Sequence, residues 1–504
     1  MPGRRAVNLL KGATALAAVL YPVLLLFVAL HRVAYPFELE WIEGAVLEHV
    51  RRLAAGRTLY AAPSLEFISL PYTPIYYYVG AVVATVVGMS FTALRLVSLV
   101  SSLGCGLLVF GIVKKETRTV FPAIAATGLF AATFSLNGWW FDVARVDMLF
   151  VVFLLGAIYC LRFHASSAGY LAAGILMALS FLTKQTALLI ALPLLLYAAW
   201  AQRRCFIALG AALVTTIAAS TVLLNQGTGG WYLYYTLTTV SKQLPIDKGM
   251  LLVHFWTGQM MRPLAVAILV SVAFLYLELS RGDRRVGWFY LLATSSAVMA
   301  SAFSLAKRGG WLNTLVPAHA MIAILFGLGI HSLLGLVGEM PTDSRRALEC
   351  LVYLACIVQF GGLVYNPLSQ IPSAGDLHAG KSFLETLGRV KGDVFIPYHP
   401  YLLAEVGKSV HAHESLLQDV LTHDDGPVGR GLRSEIETAL QRRKFDALVV
   451  DDHAPFRENP KGYWKAVDAY YVLNRRLFDD GNVFFPVAGG RNRPELLYVP
   501  RKDP

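Results

Sequence analysis

The run Ala13-Thr-Ala-Leu-Ala-Ala-Val-Leu-Tyr-Pro-Val-Leu-Leu-Leu-Phe-Val-Ala-Leu30 contains no charged residue and approaches the roughly 20 residues that cross a bilayer. Arg4, Arg5 and Lys11 precede it, which is the charge flank of a secretory signal. Its length argues for a retained anchor, as does His31-Arg-Val-Ala-Tyr-Pro36 where a small-residue cleavage site would stand. Similar apolar runs recur as far as Val364. Hydrophobic residues make up 56% of the chain, charged residues 15%, and the mean hydropathy is +0.54. These values lie outside the soluble globular range and predict a polytopic α-helical membrane protein.

The formal net charge of +11 raises nucleic acid as a partner, and the placement of the charge excludes it. The basic residues cluster in short loops, at Lys114 to Arg118, Arg203-Arg204, Arg281 to Arg285 and Arg345-Arg346, as topology marks do. Five cysteines, Cys105, Cys160, Cys205, Cys350 and Cys356, lie in or beside apolar runs without zinc-ligand or redox spacing.

Spans are expected near 13–31, 91–112, 120–136, 148–162, 169–184, 186–200, 206–224, 262–279, 287–305, 314–335 and 347–364, about eleven transmembrane helices. A cytoplasmic N-terminus then puts every basic cluster inside. The stretch from Ile75 to Gly88 is short and follows Pro71-Tyr-Thr-Pro-Ile-Tyr-Tyr-Tyr78, so it reads as an interfacial, juxtamembrane helix. If it spanned, the clusters that follow would face outward.

This layout divides the chain into a transmembrane domain, 1–368, and a soluble α/β domain on the outer face, 369–504. The first outer loop, 32–90, carries the juxtamembrane helices. In the tail, Asp393 to Pro397 and Phe445 to Asp451 suit buried parallel strands. Ser434 to Arg443 has helical spacing, and Asn482 to Val487 with Leu496 to Val499 is expected to add a hairpin.

Against this apolar background several polar groups stand out on the outer face. Glu40 and Glu43, in Phe37-Glu-Leu-Glu-Trp-Ile-Glu-Gly44, follow the first span, and in a helix they would share one face. Asn137-Gly-Trp-Trp-Phe-Asp-Val-Ala-Arg-Val-Asp147 places Asp142, Arg145 and Asp147 beside two tryptophans at a helix mouth. Lys307, Arg308 and Asn313 lie in a short outer turn, and Lys184 stands with Gln185 between two apolar runs. Each has an ordinary reading: a solvated acidic loop, an ion pair of Arg145 with Asp142 or Asp147 closing a helix end, cations snorkelling to headgroups, a helix cap at Lys184. Together they suit sugar transfer from a polyprenyl phosphate. That reaction needs a carboxylate base for the acceptor hydroxyl and cations for the phosphate charge.

The motifs in order resemble those of GT-C membrane glycosyltransferases, in the branch of protein O-mannosyltransferases and lipid A aminoarabinose transferases. The resemblance rests on Glu40-x-x-Glu43-Gly44, Arg57-Thr-Leu-Tyr60, Pro71 to Tyr78, Gly88 to Leu96 with Arg95, Ala144-Arg-Val-Asp147 and Lys307-Arg-Gly-Gly310. It covers most of 13–335 and leaves out the tail. It implies an inverting transferase that uses a polyprenyl-phosphate sugar, with an envelope glycan, lipid or protein as acceptor, in the cell membrane. It makes Glu40 or Glu43 the base and Asp147 a second acidic site residue. Phosphate or cavity contacts are expected of Arg95, Asp142, Arg145, Lys184, Lys307, Arg308, Asn313, Tyr72 and Tyr76. Relatives often carry Asp-Glu where this chain has Ile42-Glu43, so the motif leaves the base open, and Glu40 is favoured.

No cofactor is implied, and a divalent cation stays open. His399, His411, His413, His423, Asp424 and Asp425 concentrate metal-type ligands in the tail, yet their spacing matches no ligand motif, and a solvated surface is the better reading. Two other functions compete. A transporter or flippase would put polar residues at mid-membrane in two matching halves, which are not visible here. A non-catalytic assembly protein would use the tail for docking.

Overall fold

A computed structural model describes residues 2–243, 249, 253–307, 309–452 and 456–502. Helices form wherever the apolar runs predict them. In chain order the first nine are α1 (Pro2–Arg32), α2 (Glu43–Ala54), α3 (Ile75–Val87), α4 (Phe91–Thr117), α5 (Val120–Ala132), α6 (Asp147–Phe163), α7 (Ser167–Phe181), α8 (Ala187–Ala201) and α9 (Arg203–Gly227). Ala265–Ser280, Arg284–Ala306, Val316–Gly338 and Thr342–Gly361 complete the bundle.

A helix therefore stands at each of the eleven expected runs, and the chain is a multi-pass membrane protein. Among the described residues, five helices are long and apolar enough to cross a membrane: Arg4–Arg32, Phe91–Thr117, Arg203–Gly227, Arg284–Ala306 and Leu312–Gly338. Phe255–Met261 and Ala265–Ser280 form a pair bent by 83°. Helix α3 has 13 residues, about 20 Å at 1.5 Å per residue, against a hydrocarbon core of about 30 Å.

Small residues let the bundle close. At Gly128 of α5 an added Cβ would sit 2.6 Å from the Cα of Ala18 in α1, so these two backbones are in direct contact. At the end of the bundle away from the acidic loop, Arg162 of α6 clasps Glu116 of α4 through two bonds of 3.0 and 2.5 Å, and the hydroxyl of Tyr290 donates to the same carboxylate at 3.1 Å.

The tail carries a four-stranded sheet in the order β1-β2-β4-β3. Strands β1 (Val394–Phe395) and β2 (Ala447–Asp451) pair in parallel. Strand β4 (Pro494–Pro500) pairs antiparallel with both β2 and β3 (Tyr471–Arg476). The expected helix forms as Pro427–Gln441. The expected hairpin does not form. Residues 482–487 are not a strand: Phe484 takes φ +64 and packs on Phe37 at 5.0 Å, and Pro486 has no N–H for a ladder. The partner of Leu496 to Val499 is instead Tyr471–Arg476, whose residues after Tyr471 are largely exposed.

The tail and the first loop share one hydrophobic core. Phe37, Val46, Val50, Tyr60 and Leu65 from the loop join Phe383, Ile396, Leu402, Leu417, Val449 and Tyr498. Backbone pairing reinforces it, because Ala412 N donates to Leu65 O and Ala488 N to Leu39 O, both at 2.9 Å.

Candidate functional site

The acidic loop is not helical through both of its expected carboxylates. Helix α2 begins at Glu43, whose position in the first turn suits a negative charge, and Glu40 precedes it in a turn. The two carboxylates consequently have different partners.

Glu43 is enclosed. Its carboxylate accepts from Arg95 Nε at 3.0 Å and Nη2 at 2.7 Å, and from the backbone N–H groups of Leu39 and Ala144, each at 2.6 Å. Burial alone would raise its pKa, but Arg95 and the two backbone donors outweigh burial and hold it below the usual range. Arg95 also donates to the carbonyls of Arg32, Tyr35 and Phe37 at 3.3, 2.6 and 2.6 Å. All five of its N–H groups are engaged, leaving none for a phosphate.

Glu40 is half satisfied. Its Oε2 accepts from Ile42 N at 3.2 Å and Arg145 Nη1 at 3.3 Å, while Oε1 is buried without a hydrogen-bond partner. Burial pushes its pKa up to about 8, Arg145 opposes the rise, and the neighbouring charges of Glu43 and Glu38 add to it.

Arg145 connects this carboxylate to the tryptophan loop. Its Nη2 donates to the Tyr72 hydroxyl at 3.1 Å, and its guanidinium carbon lies 4.7 Å from the Trp140 ring centroid. Arg145 Nε and Trp140 Nε1 are buried donors without partners. Asp147 opens α6 and accepts through Oδ1 from Lys184 Nζ at 2.6 Å and Asn313 Nδ2 at 2.9 Å, while its Oδ2 has no partner.

The ordinary reading of Arg145 as an ion-pair partner of Asp142 or Asp147 is not what the structure shows. Asp142 pairs with Arg32 at the end of α1, through Nε at 2.7 Å and a second bond from Nη2, and Arg145 turns to Glu40. The cause is local: residues 138–146 are irregular, with φ +67 at Gly138 and +68 at Trp139, so helical spacing does not govern where 142 and 145 point. Lys184 is more than a cap, since its ammonium meets the Asp147 carboxylate.

Tyr76 packs inside, its hydroxyl donating to Leu94 O at 3.0 Å and lying 3.1 Å from Ser98 Oγ. Lys307 lies over Phe303 at 4.9 Å, with its pKa lowered by burial and no ion pair among the described residues. Arg308 lies outside the described residues.

Sequence reasoning missed a second charged cluster. Glu38 Oε2 lies 2.5 Å from His399 Nδ1, and His399 Nε2 lies 3.2 Å from Asp451 Oδ2, which ties the loop to the tail in a buried site. Burial opposes a charge on His399, but Asp451 and Glu38 outweigh burial and push its pKa up to about 10. Glu38 stands in the same acidic stretch as Glu40, a signal available in the sequence, whereas nothing there indicates His399 as its partner. The solvated surface expected of the tail histidines is not found, since His399, His411 and His413 are all buried. His411 packs edge-on against Phe395 and Phe445, and His413 lies 3.3 Å from Trp41 O. Among the described residues, no group of three or more His, Cys, Asp or Glu could hold a metal ion.

These shifts predict a pH dependence of stability. His399, raised to about 10 from its usual 6.5, stabilises fully below 6.5 and loses its contribution as pH rises toward 10. Glu40, raised to about 8, loses its contribution over 4.5 to 8. His411 and His413, lowered to about 4 and about 3, act oppositely and lose theirs as pH falls below 6.5. The melting temperature should therefore fall between pH 6.5 and 10, with a shallower fall in His399→Gln. Identical alkaline slopes in parent and variant would contradict the assignment.

A family model described as dolichyl-phosphate-mannose-protein mannosyltransferase matches residues 71–225, which include Tyr72, Arg95, Arg145, Asp147 and Lys184. No curated protein matches the chain at a significant level. Among solved structures the chain is similar to ArnT from Cupriavidus metallidurans in the apo state, with a TM-score of 0.60 and 12% identity, covering 95% of this chain and 97% of that one. The same protein bound to undecaprenyl phosphate gives a TM-score of 0.57 at 12% identity, with the same coverage. The archaeal oligosaccharyltransferase AglB from Archaeoglobus fulgidus, in complex with an inhibitory peptide and a dolichol-phosphate, gives 0.55 at 11% identity, covering 90% of this chain and 72% of that one. These likenesses are ones of fold, and with the family model they agree with the resemblance read from the motifs. The coverage of 95% takes in most of the tail, which the motif resemblance leaves out.

Proposed function

We propose that the chain transfers a sugar from a polyprenyl-phosphate donor to an envelope acceptor on the extracytoplasmic side, with inversion, and that Glu40 is the general base. One observation carries this reading. Glu40 Oε1, Asp147 Oδ2, Arg145 Nε and Trp140 Nε1 are buried polar atoms left without partners, linked by the Arg145 contacts to Glu40 and Trp140 and by its electrostatic interaction with Asp147. Buried polar groups are normally satisfied, so two acceptors and two donors left open suit a ligand rich in hydroxyls and carrying a phosphate.

The chemistry follows as one displacement. An acceptor hydroxyl oxygen bonds to the anomeric carbon as the bond from that carbon to the phosphate oxygen breaks. Glu40 takes the hydroxyl proton, and the polyprenyl phosphate leaves with the bonding pair. Its charge is met by Arg145 and, at the outer turn, by Lys307. A phosphate leaves without protonation, so one carboxylate base suffices. Lys184 and Asn313 fix one Asp147 oxygen and leave the other for sugar hydroxyls. Arg95 holds Glu43 and the loop carbonyls rather than the phosphate. The basic clusters of the short loops support an outer-face site and tail, on the reading of eleven spans with a cytoplasmic N-terminus.

The test is reconstitution of the full chain with polyprenyl-phosphate sugars and an envelope extract. Mass spectrometry should find released polyprenyl phosphate together with a glycosylated product. Movement of labelled lipid across the bilayer without sugar transfer would replace this reading with a flippase. In the same assay Arg145→Gln should lower kcat/KM by about 100-fold. It should also move the acid limb of the pH profile upward, because Arg145 holds the Glu40 pKa down. An unmoved limb would separate Arg145 from Glu40.

A further inference from the structure

The tail segment from Phe484 to Arg493 runs against the acidic loop. At one end Phe484 N donates to Asp376 Oδ1 at 2.6 Å, and its ring packs on Phe37. At the other end Arg493 Nη1 donates to the carbonyls of Asp480 and Val483 at 2.8 and 2.7 Å. Between them Ala488 N donates to Leu39 O at 2.9 Å, and Ala488 is buried with Leu39, Trp140 and Val143. The next residue is Gly489, with φ +75. A Cβ there would stand 3.1 Å from Glu40 Cγ, 3.6 Å from Glu40 Oε1 and 3.6 Å from Trp41 Cδ1.

We propose that this strap is a positioning element of the transfer site, with Gly489 setting the place of the Glu40 carboxylate. The inference rests on Glu40 as the base. Two polar contacts hold Glu40 Oε2, and no hydrogen bond holds Oε1. The free oxygen is therefore placed by packing, and the backbone of Gly489 supplies one wall. A side chain at 489 would press on Cγ and turn the free oxygen away from the acceptor hydroxyl. The left-handed backbone admits glycine freely and asparagine tolerably. The tail thereby takes part in the chemistry by fixing a group on the loop.

The test compares Gly489→Ala, Gly489→Asn and Gly481→Ala in the reconstituted full chain. Position 481 has nothing within 4 Å of an added Cβ, so that variant should match the parent. Gly489→Ala should lower kcat by roughly 10- to 100-fold, as a displaced catalytic group does. KM for the donor should stay unchanged, and the acid limb should shift upward as the displaced carboxylate moves off Arg145. If the alanine variant fails to melt cooperatively, the asparagine variant carries the same Cβ with less backbone strain and decides. Parental kcat and pH profile in a folded 489 variant overturn the proposal, as does loss of folding in both, which would make the turn a folding element. Full activity of Glu40→Gln would instead overturn the base assignment, so the two failures are distinct.

Discussion

Glu40→Gln is expected to lower sugar transfer by roughly 10²- to 10⁴-fold, the usual contribution of a positioned general base, with donor binding and melting temperature nearly unchanged. The substitution preserves shape, and glutamine can still accept from Ile42 N and Arg145 through its carbonyl oxygen. The folded-state pKa of about 8 means that at pH 7 the Glu40 carboxyl is mostly protonated, so a neutral amide replaces a largely neutral acid. The same pKa sets the pH profile. The basic form grows as pH rises through about 8, and the parent's kcat/KM should rise with it before levelling. Reconstituted transfer measured between pH 6 and 9.5 checks both statements. Wild-type rates for the glutamine variant would remove Glu40 from the base role and direct attention to Asp147.

Arg95→Ala should act on folding, with a large expected loss of stability. Breaking a buried ion pair from one side costs about 3–5 kcal/mol, because the remaining charge stays buried without compensation. Here Glu43 would keep its two backbone donors and lose both guanidinium bonds, and the carbonyls of Arg32, Tyr35 and Phe37 would lose theirs. The whole turn that carries Glu38 and Glu40 would lose its anchor to α4. Thermal melting in detergent should show a large drop, with activity and donor binding lost together. A variant with parental stability and selectively weakened donor binding would restore Arg95 as a phosphate contact. The contrast with Glu40→Gln separates the two glutamates: one substitution removes chemistry from an intact site, the other removes the site.

Much of the fold was legible because its rules are local. Each of the eleven apolar runs became a helix, since a chain in hydrocarbon must satisfy its backbone polar groups within the segment. The parallel pairing of Val394–Phe395 with Ala447–Asp451 was legible as two β-branched runs. The hairpin expected at Asn482 to Val487 failed because Phe484 found more burial against Phe37 than a strand edge would offer, an outcome set by a residue hundreds of positions away.

The sequence by itself determined that Glu40, Glu43, Asp142, Arg145 and Asp147 needed polar partners, because a charge near hydrocarbon is costly wherever it falls. The choice of partner belonged to the tertiary structure. Arg32 meets Asp142 across 110 positions, Arg95 meets Glu43 across 52, Arg145 meets Glu40 across 105, and His399 meets Glu38 across 361. Desolvation creates the need for a counter-charge but carries no information about its position in the chain. Helix packing and the docking of the tail supply that information. They also decide that Glu43 is saturated while Glu40 keeps one free oxygen beside Gly489.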